Sequence, residues 1–191
     1  MSYRLPRVLS PVHFARPELD ALRLDGEVFR VDDRAVSVDE LPGIPLRAEV
    51  LAAELPRGLI AEQLSAAWVW GAAAQPPSQH QVCADIGARV RPPLAKRLSI
   101  REVVIGAEEF VVIAGLGVTT RQRTAIDLAR FVSEWKPEHS GVVAALMACG
   151  GFGAIDCARV INGRRNLPNK RRALGRLALS DAIEFLPSFP G

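Results

Sequence analysis

An arginine and an aspartate lie at helical spacing in the segment from Gly115 to Arg130. Arg123 and Asp127 are four residues apart, so on a helix they would share one face and could form an ion pair. The arginine precedes the aspartate, which is the less favourable order in an isolated helix. This order indicates that tertiary contacts hold the pair, although a surface ion pair on an ordinary amphipathic helix remains the alternative.

The same segment is predicted to run from a strand into a capped helix over residues 120–135. Thr119 can serve as the N-cap with Gln122 three residues later, which is the spacing of a capping box. Apolar residues then recur at helical intervals, at Ala125, Leu128, Ala129 and Val132.

Two basic runs without any acidic residue could bind phosphate groups. The first comprises Arg89, Arg91, Lys96, Arg97 and Arg101. The second comprises Arg159, Arg164, Arg165, Lys170, Arg171, Arg172 and Arg176. Acid-free basic runs are typical of surfaces that bind nucleic acid, although solvated loops have the same composition. Few aromatic residues accompany them, which disfavours stacking on single-stranded bases.

Catalytic and metal-binding motifs are missing from the sequence. His13, His80 and His139 lie far apart without metal-ligand spacing, and no nucleophile elbow, P-loop or dinucleotide-binding glycine motif occurs. Asp85 and Glu102 could be imagined as nuclease carboxylates, but no lysine stands two residues from Glu102. The sequence therefore predicts a protein that is not an enzyme and that holds no metal or cofactor.

The composition predicts a folded, cytoplasmic protein. The 191 residues are 49% apolar, with a net charge of +3 and a pI near 9.0. Three cysteines without CxxC spacing suggest neither a disulfide framework nor a zinc site, and Cys149 and Cys157 are expected to be buried thiols. Neither a signal peptide nor a membrane-spanning stretch is recognisable, so no membrane partner is expected.

The first 42 residues are predicted to form a small helix–hairpin subdomain. A short helical piece begins at Ser10-Pro11, a helix covers 16–24, and Gly26 ends it. Alternating strands at 27–31 and 34–38 follow, with a turn at Asp32-Asp33. A helix before a hairpin is typical of the recognition helix and wing of a shortened winged helix-turn-helix, although a plain structural subdomain gives the same pattern.

Residues 46–186 are predicted to form a larger domain after a linker at 42–45. Its predicted helices cover 46–55, 59–71 (with Ile60, Leu64 and Trp68 on one face), 120–135, 141–149 (capped by Ser140), 154–161 and a last one from Pro168. Its predicted strands cover 80–86, 98–105 and 109–114. The fold class is thus α+β, with a short mixed or antiparallel sheet surrounded by helices.

Four motifs resemble the AbiEi family of type IV antitoxins over roughly residues 45–180. They are Arg47-Ala-Glu, Leu64-Ser-Ala-Ala-Trp-Val-Trp-Gly71, Pro76-Pro77 with His80, and Gly117-Val-Thr-Thr-Arg-Gln-Arg-Thr-Ala-Ile-Asp-Leu-Ala-Arg130. The last one carries the family signature. Its residues Thr119, Thr120, Arg123, Thr124 and Asp127 are expected to support the fold rather than to catalyse a reaction.

The resemblance implies a regulator with two partners. In that family an N-terminal winged helix-turn-helix binds operator DNA and represses its own operon, while the C-terminal domain helps to neutralise a nucleotidyltransferase-like toxin without forming a stable complex. Actinobacterial relatives continue into a very-short-patch-repair-like endonuclease domain. This sequence ends at Gly191, where that domain would begin, so the resemblance implies no nuclease activity.

DNA is expected to contact two basic regions. The first is Arg164, Arg165, Lys170, Arg171, Arg172 and Arg176, and the second is Arg30 and Arg34 on the wing-like hairpin. A homodimer is a further candidate assembly. The alternative function is a protein-interaction module that does not bind DNA.

Overall fold

The computed structural model of the chain describes residues 7–10, 13–87 and 97–183. The described residues up to Ser37 form a three-stranded antiparallel sheet and one helix. The elements of this part are β1 (Val8–Leu9), α1 (Arg16–Leu24), β2 (Val28–Val31) and β3 (Arg34–Ser37). The strand order is β1-β3-β2, and Val36 pairs with both Val8 and Phe29. The predicted helix 16–24 and the hairpin turn at Asp32-Asp33 are confirmed.

A mixed five-stranded sheet forms the centre of the rest of the chain. Its strands are β4 (Ile60–Ala61), β5 (His80–Asp85), β6 (Leu98–Val103), β7 (Phe110–Ile113) and β8 (Leu116–Thr119). They are ordered β6-β5-β4-β8-β7, and the pairs β4–β8 and β5–β6 are parallel while the others are antiparallel. The predicted short sheet is confirmed, and of the two alternatives, mixed or antiparallel, it is the mixed one.

In the described part of the chain, six helices surround this sheet. They are α2 (Ile44–Ala52), α3 (Gln63–Val69), α4 (Arg121–Phe131), α5 (Pro137–Gly150), α6 (Ala154–Gly163) and α7 (Lys170–Asp181). One buried core joins Val36 of the small sheet to Leu46, Trp68 and Val118, and a second lies among α4, α5, α6 and α7. The α+β fold class is confirmed. Because Val36 and Leu46 share a core, the small sheet packs directly against the following elements.

The predicted helix 59–71 is wrong in its first turn. Ile60 and Ala61 form strand β4, in the middle of the sheet between β5 and β8, and the helix occupies only residues 63–69. A short, fully buried apolar run has the same appearance in a strand and in a helix. Gln63, with a φ of 49°, marks the break between the two elements.

Three helix starts and one thiol also differ from the prediction. The N-cap of α4 is Thr120, whose hydroxyl accepts a hydrogen bond from the Arg123 amide, while Thr119 is the last residue of β8. Helix α5 begins at Pro137, so Ser140 lies inside it and accepts a hydrogen bond from Trp135 instead of capping the helix. Helix α7 begins at Lys170 rather than at Pro168, and Cys149 is exposed rather than buried.

Some predictions fall outside the described residues. These are the part of the first helical piece at Pro11, the basic residues Arg89, Arg91 and Lys96, and the C-terminal boundary at 186. The division into 1–42 and 46–186 stays a prediction. Among the described residues, no single helix has both the length and the apolar composition to cross a membrane, and only the bent pair α5–α6 meets those criteria jointly.

The signature network and the candidate nucleic-acid interface

Asp127 lies at the centre of a buried cluster of charged side chains. Its side chain is fully buried in α4, and its Oδ2 atom accepts a hydrogen bond from Arg123 Nε at 2.8 Å. Its Oδ1 atom accepts one from Arg130 at 3.1 Å, and Arg101 of β6 approaches Oδ2 at 3.4 Å. The predicted pair is therefore an internal one, and the alternative of a surface ion pair is wrong.

The cluster extends from α4 to the sheet and to the end of α6. Glu62 is 2% exposed and accepts two hydrogen bonds from Arg101, at 3.0 and 2.5 Å. Glu109 accepts hydrogen bonds from Arg123 at 2.5 Å and from Arg164. We refer to this set as the signature network; it consists of Glu62, Arg101, Glu109, Arg123, Asp127, Arg130 and Arg164.

The electrostatics of the network stabilise the charged forms of Arg123 and Glu109. Burial lowers the pKa of Arg123, but the adjacent Asp127 and Glu109 outweigh burial and raise it above its ordinary value. Burial likewise raises the pKa of Glu109, but the hydrogen bonds from Gly106, Arg164 and Arg123 bring it below its ordinary value. Opposite charges therefore outweigh the desolvation of these groups, and both remain ionised at neutral pH.

The signature threonines connect strand β8 to helix α4. The hydroxyls of Thr119 and Thr124 lie 2.7 Å apart, and the Thr124 hydroxyl also reaches the carbonyl of Thr120 at 2.8 Å. Trp70 donates a hydrogen bond to the Thr119 carbonyl at 2.8 Å. These contacts fix the start of α4, and hence the positions of Arg123 and Asp127.

Aromatic rings complete the surroundings of the network. The guanidinium groups of Arg101 and Arg130 lie 3.9 and 4.4 Å from the centre of the Phe131 ring. Arg121 lies 4.0 Å above the Trp70 ring, and its Nε is the only buried side-chain polar atom of the described residues without a hydrogen-bond partner. The carboxylates of Glu62, Glu109 and Asp127 are thus all bound by arginine side chains.

Three residues of the predicted DNA-binding cluster are engaged inside the fold. Arg164 belongs to the signature network, and Arg172 donates a hydrogen bond to the carbonyl of Arg130. Arg176 donates to the carbonyls of Ala129 and Val132 at 3.1 and 2.7 Å. Arg172 and Arg176 thus satisfy carbonyls at the C-terminal end of α4, a role that their acid-free sequence context did not indicate.

The other three residues of that cluster face solvent. Arg165 and Arg171 are exposed and Lys170 is half-buried, at the connection between α6 and α7. Within the described part of the chain, these three cations form no ion pair and no side-chain hydrogen bond. They are therefore free to bind an external anion.

The two hairpin arginines differ in their availability. Arg30 is 59% exposed and pairs with Asp33 at 3.0 Å, across the turn. Arg34 is 21% exposed; it pairs with Glu54 at 3.5 Å and donates a hydrogen bond to the Ala53 carbonyl. Arg30 can therefore reach a ligand more easily than Arg34 can.

The hairpin turn is held by residues from the five-stranded sheet. Asp32 accepts hydrogen bonds from His80 at 2.8 Å and from Arg97 at 2.7 Å, and Arg97 also pairs with Asp33. Burial raises the pKa of Asp32, but hydrogen bonds from His80 and Arg97 outweigh it and lower the pKa overall. Burial and the neighbouring Asp32 raise the pKa of Glu54. No motif or spacing in the sequence indicated this contact.

Two further groups of side chains have the residue types of a metal site or of a catalytic carboxylate pair. Possible ligand atoms of Asp32, Glu54 and His80 lie within 4.8 Å of one another, but the Arg97 guanidinium already lies against both carboxylates. In the parallel pair β5–β6, Glu102 is opposite Ala84. Since Asp85 is the next residue along the strand, the side chains of Asp85 and Glu102 project from opposite faces of the sheet. They do not form a carboxylate pair.

A known family model matches the part of the chain that contains most of the signature network. Residues 59–150 match the profile described as the AbiEi antitoxin C-terminal domain. This range contains every residue of the signature network except Arg164. The crystal structure of the RV2827C protein from Mycobacterium tuberculosis superposes with a TM-score of 0.50 at 15% identity, over 88% of this chain and 66% of that one. The chain thus spans just under two thirds of that protein, and the likeness concerns the fold alone. A search of curated proteins found no match.

Proposed function

We propose that the chain is a DNA-binding regulator of a type IV toxin–antitoxin-like system, because residues 59–150 match the AbiEi antitoxin C-terminal domain. The family match is the observation that carries this proposal. The domain serves as a non-enzymatic antitoxin, and its cognate partner is a nucleotidyltransferase-like toxin. The closed signature network supports a role without catalysis, because its carboxylates are bound by arginines and none is free to act as a base.

DNA contacts are assigned first to the connection between α6 and α7. Arg165, Lys170 and Arg171 are the cations of the predicted cluster that have no internal partner among the described residues. Arg30, on the hairpin, is the second contact because its side chain is largely exposed. Arg34, Arg172 and Arg176 bind neighbouring backbone carbonyls and Arg164 binds the Glu109 carboxylate, so these four arginines contribute positive potential only. Phosphate contacts of this kind supply affinity but no sequence preference.

Helix α1 is a weaker candidate for reading DNA bases. It has two arginines and two acids, and its outward-facing residues include Glu18. Basic side chains on a recognition helix help it to approach the phosphates, and α1 has no net positive charge with which to do so. Operator specificity therefore depends on contacts beyond this helix.

A protein-interaction module is the second candidate function, and the edge of the central sheet favours it. Strand β7 lies at the end of the sheet, and Val111 and Val112 on it are 40% and 68% exposed. An uncharged edge strand offers backbone groups and apolar side chains to a protein partner. In this case the toxin would be the partner and DNA would not bind.

A gel shift with the DNA upstream of the gene distinguishes the two candidates. A regulator binds this DNA more tightly than a scrambled duplex of equal length, and its affinity falls steeply with salt. Absence of binding at low salt leaves the interaction module. The antitoxin role is tested separately. It is supported in either case if a neighbouring gene encodes a toxic nucleotidyltransferase and co-expression of this chain relieves that toxicity.

A further inference from the structure

A groove of about 380 Å³ separates helix α1 from the small sheet. One wall consists of Arg16, Leu19, Asp20 and Arg23, which share one face of α1 because they are three, four and seven residues apart. The opposite wall includes Leu9, Val28 and Ala35 of the sheet. The volume lies in the range of small-molecule sites, which combine apolar walls with a few polar groups.

Helix α1 is under-packed for its length. It has nine residues and none of them is buried, and Leu19 and Leu22 are only partly covered. Helices shorter than roughly 12–15 residues are marginal in water, and most helices in proteins depend on packing of an apolar face. The apolar side of α1 therefore faces a space that a ligand could fill, and a bound ligand would stabilise the helix.

The charge of the groove favours an anion. Four arginines and two aspartates line it: Arg16, Arg23, Arg30, Arg34, Asp20 and Asp33. Arg30 and Arg34 have partners in Asp33 and Glu54. Within the described residues, Arg16 and Arg23 form no ion pair. Asp20 lies on the same face of α1 between Arg16 and Arg23, so these three side chains leave a net charge of +1 beside the apolar wall.

We infer that this groove binds a small organic anion that has an apolar body, such as an aromatic or alkyl carboxylate, sulfonate or phosphate. The acidic head lies between Arg16 and Arg23, and the body lies against Leu19, Val28 and Ala35. Binding orders α1. Arg30, an assigned DNA contact, also lines the groove. Neither Arg16 nor Arg23 is among the assigned DNA contacts, so substitutions at these two residues test the groove separately from the proposed function.

The probe for this site is 8-anilinonaphthalene-1-sulfonate, an aromatic sulfonate that fluoresces in apolar surroundings. It should bind the full chain saturably with one site per protein, and hydrogen exchange over 16–24 should slow. The double variant Arg16→Gln/Arg23→Gln should bind about ten-fold more weakly or worse, because charge-assisted hydrogen bonds are lost. Leu19→Ser should weaken binding through the apolar wall, and Arg57→Gln, at an exposed arginine elsewhere, should not.

Competition separates an organic-anion site from a simple phosphate site. Naphthalene-1-carboxylate should displace the probe at far lower concentration than inorganic phosphate. Non-saturable binding, equal affinity in wild type, Arg16→Gln/Arg23→Gln and Leu19→Ser, or equal competition by phosphate would each overturn the inference. Near-ultraviolet circular dichroism checks that each variant is folded. Because the readout contains no DNA, failure of the gel shift leaves this result intact.

Discussion

The Oδ2 atom of Asp127 lies 2.8 Å from Nε of Arg123, one helical turn earlier, and both side chains are buried. The same carboxylate is bound by Arg130 from the following turn. A residue pair that belongs to the motif resembling the AbiEi family is therefore buried inside the fold. The pair positions α4 against the sheet, because Asp127 binds Arg101 and Arg123 binds Glu109.

Asp127→Ala should destabilise the protein by roughly 3–5 kcal/mol, because breaking a buried ion pair leaves its arginines without a counter-charge. Urea unfolding followed by circular dichroism measures the loss. Arg159→Ala, which removes the exposed partner of Asp156, is the control and should leave the midpoint nearly unchanged. An Asp127→Ala protein that unfolds like the wild type, yet no longer binds DNA or neutralises a toxin, would show that the signature is a functional surface.

Arg176→Ala should lower stability by roughly 1–3 kcal/mol, because the carbonyls of Ala129 and Val132 lose their donor. The ring of Trp135, which lies 4.7 Å from the guanidinium, also loses its contact. Thermal unfolding measures this effect. Arg171→Ala, on the same helix but exposed, should melt like the wild type. Equal melting temperatures for all three proteins would contradict the capping role.

Local patterns were sufficient to predict most elements, but not the contacts between them. Helix α1, the hairpin and the β8–α4 unit follow from apolar periodicity and turn residues within each segment. Strand β4 escaped detection because it has only two residues, both buried. The contact between Asp32 and His80 spans 48 positions, and that between Arg176 and Val132 spans 44. Periodicity within one sequence contains no signal for such pairs.

Glu54→Gln should raise the melting temperature at pH 7. Burial and the neighbouring Asp32 raise the pKa of Glu54, so its ionised form costs stability in the folded protein. This cost is present above the raised pKa and disappears as the pH falls through it, so the advantage of the variant should shrink on acidification. Glu134→Gln, at an exposed carboxylate, should match the wild type throughout. A Glu54→Gln protein that melts lower at pH 7 would show that the pairing with Arg34 dominates.

One thiol of the folded protein should react rapidly with Ellman's reagent at pH 8. Burial raises the pKa of Cys83 and of Cys157 to about 12, so both remain protonated and inaccessible. Cys149 is exposed at the end of α5. Cys149→Ser should abolish the fast phase, and denaturation should release all three thiols of the wild type. A fast phase that persists in Cys149→Ser would contradict the burial of the other two.

The salt dependence of DNA binding tests the central claim most directly. Fluorescence anisotropy with labelled upstream DNA gives the slope of log K against log salt concentration for the wild type and for Lys170→Ala/Arg171→Ala. We expect the wild type to bind this DNA specifically. In the double variant the slope should be shallower by about 0.9 for each phosphate contact removed, and the melting temperature should be unchanged. An identical slope and affinity in the double variant would remove the α6–α7 connection from the interface, and no specific binding by the wild type would contradict the regulator itself.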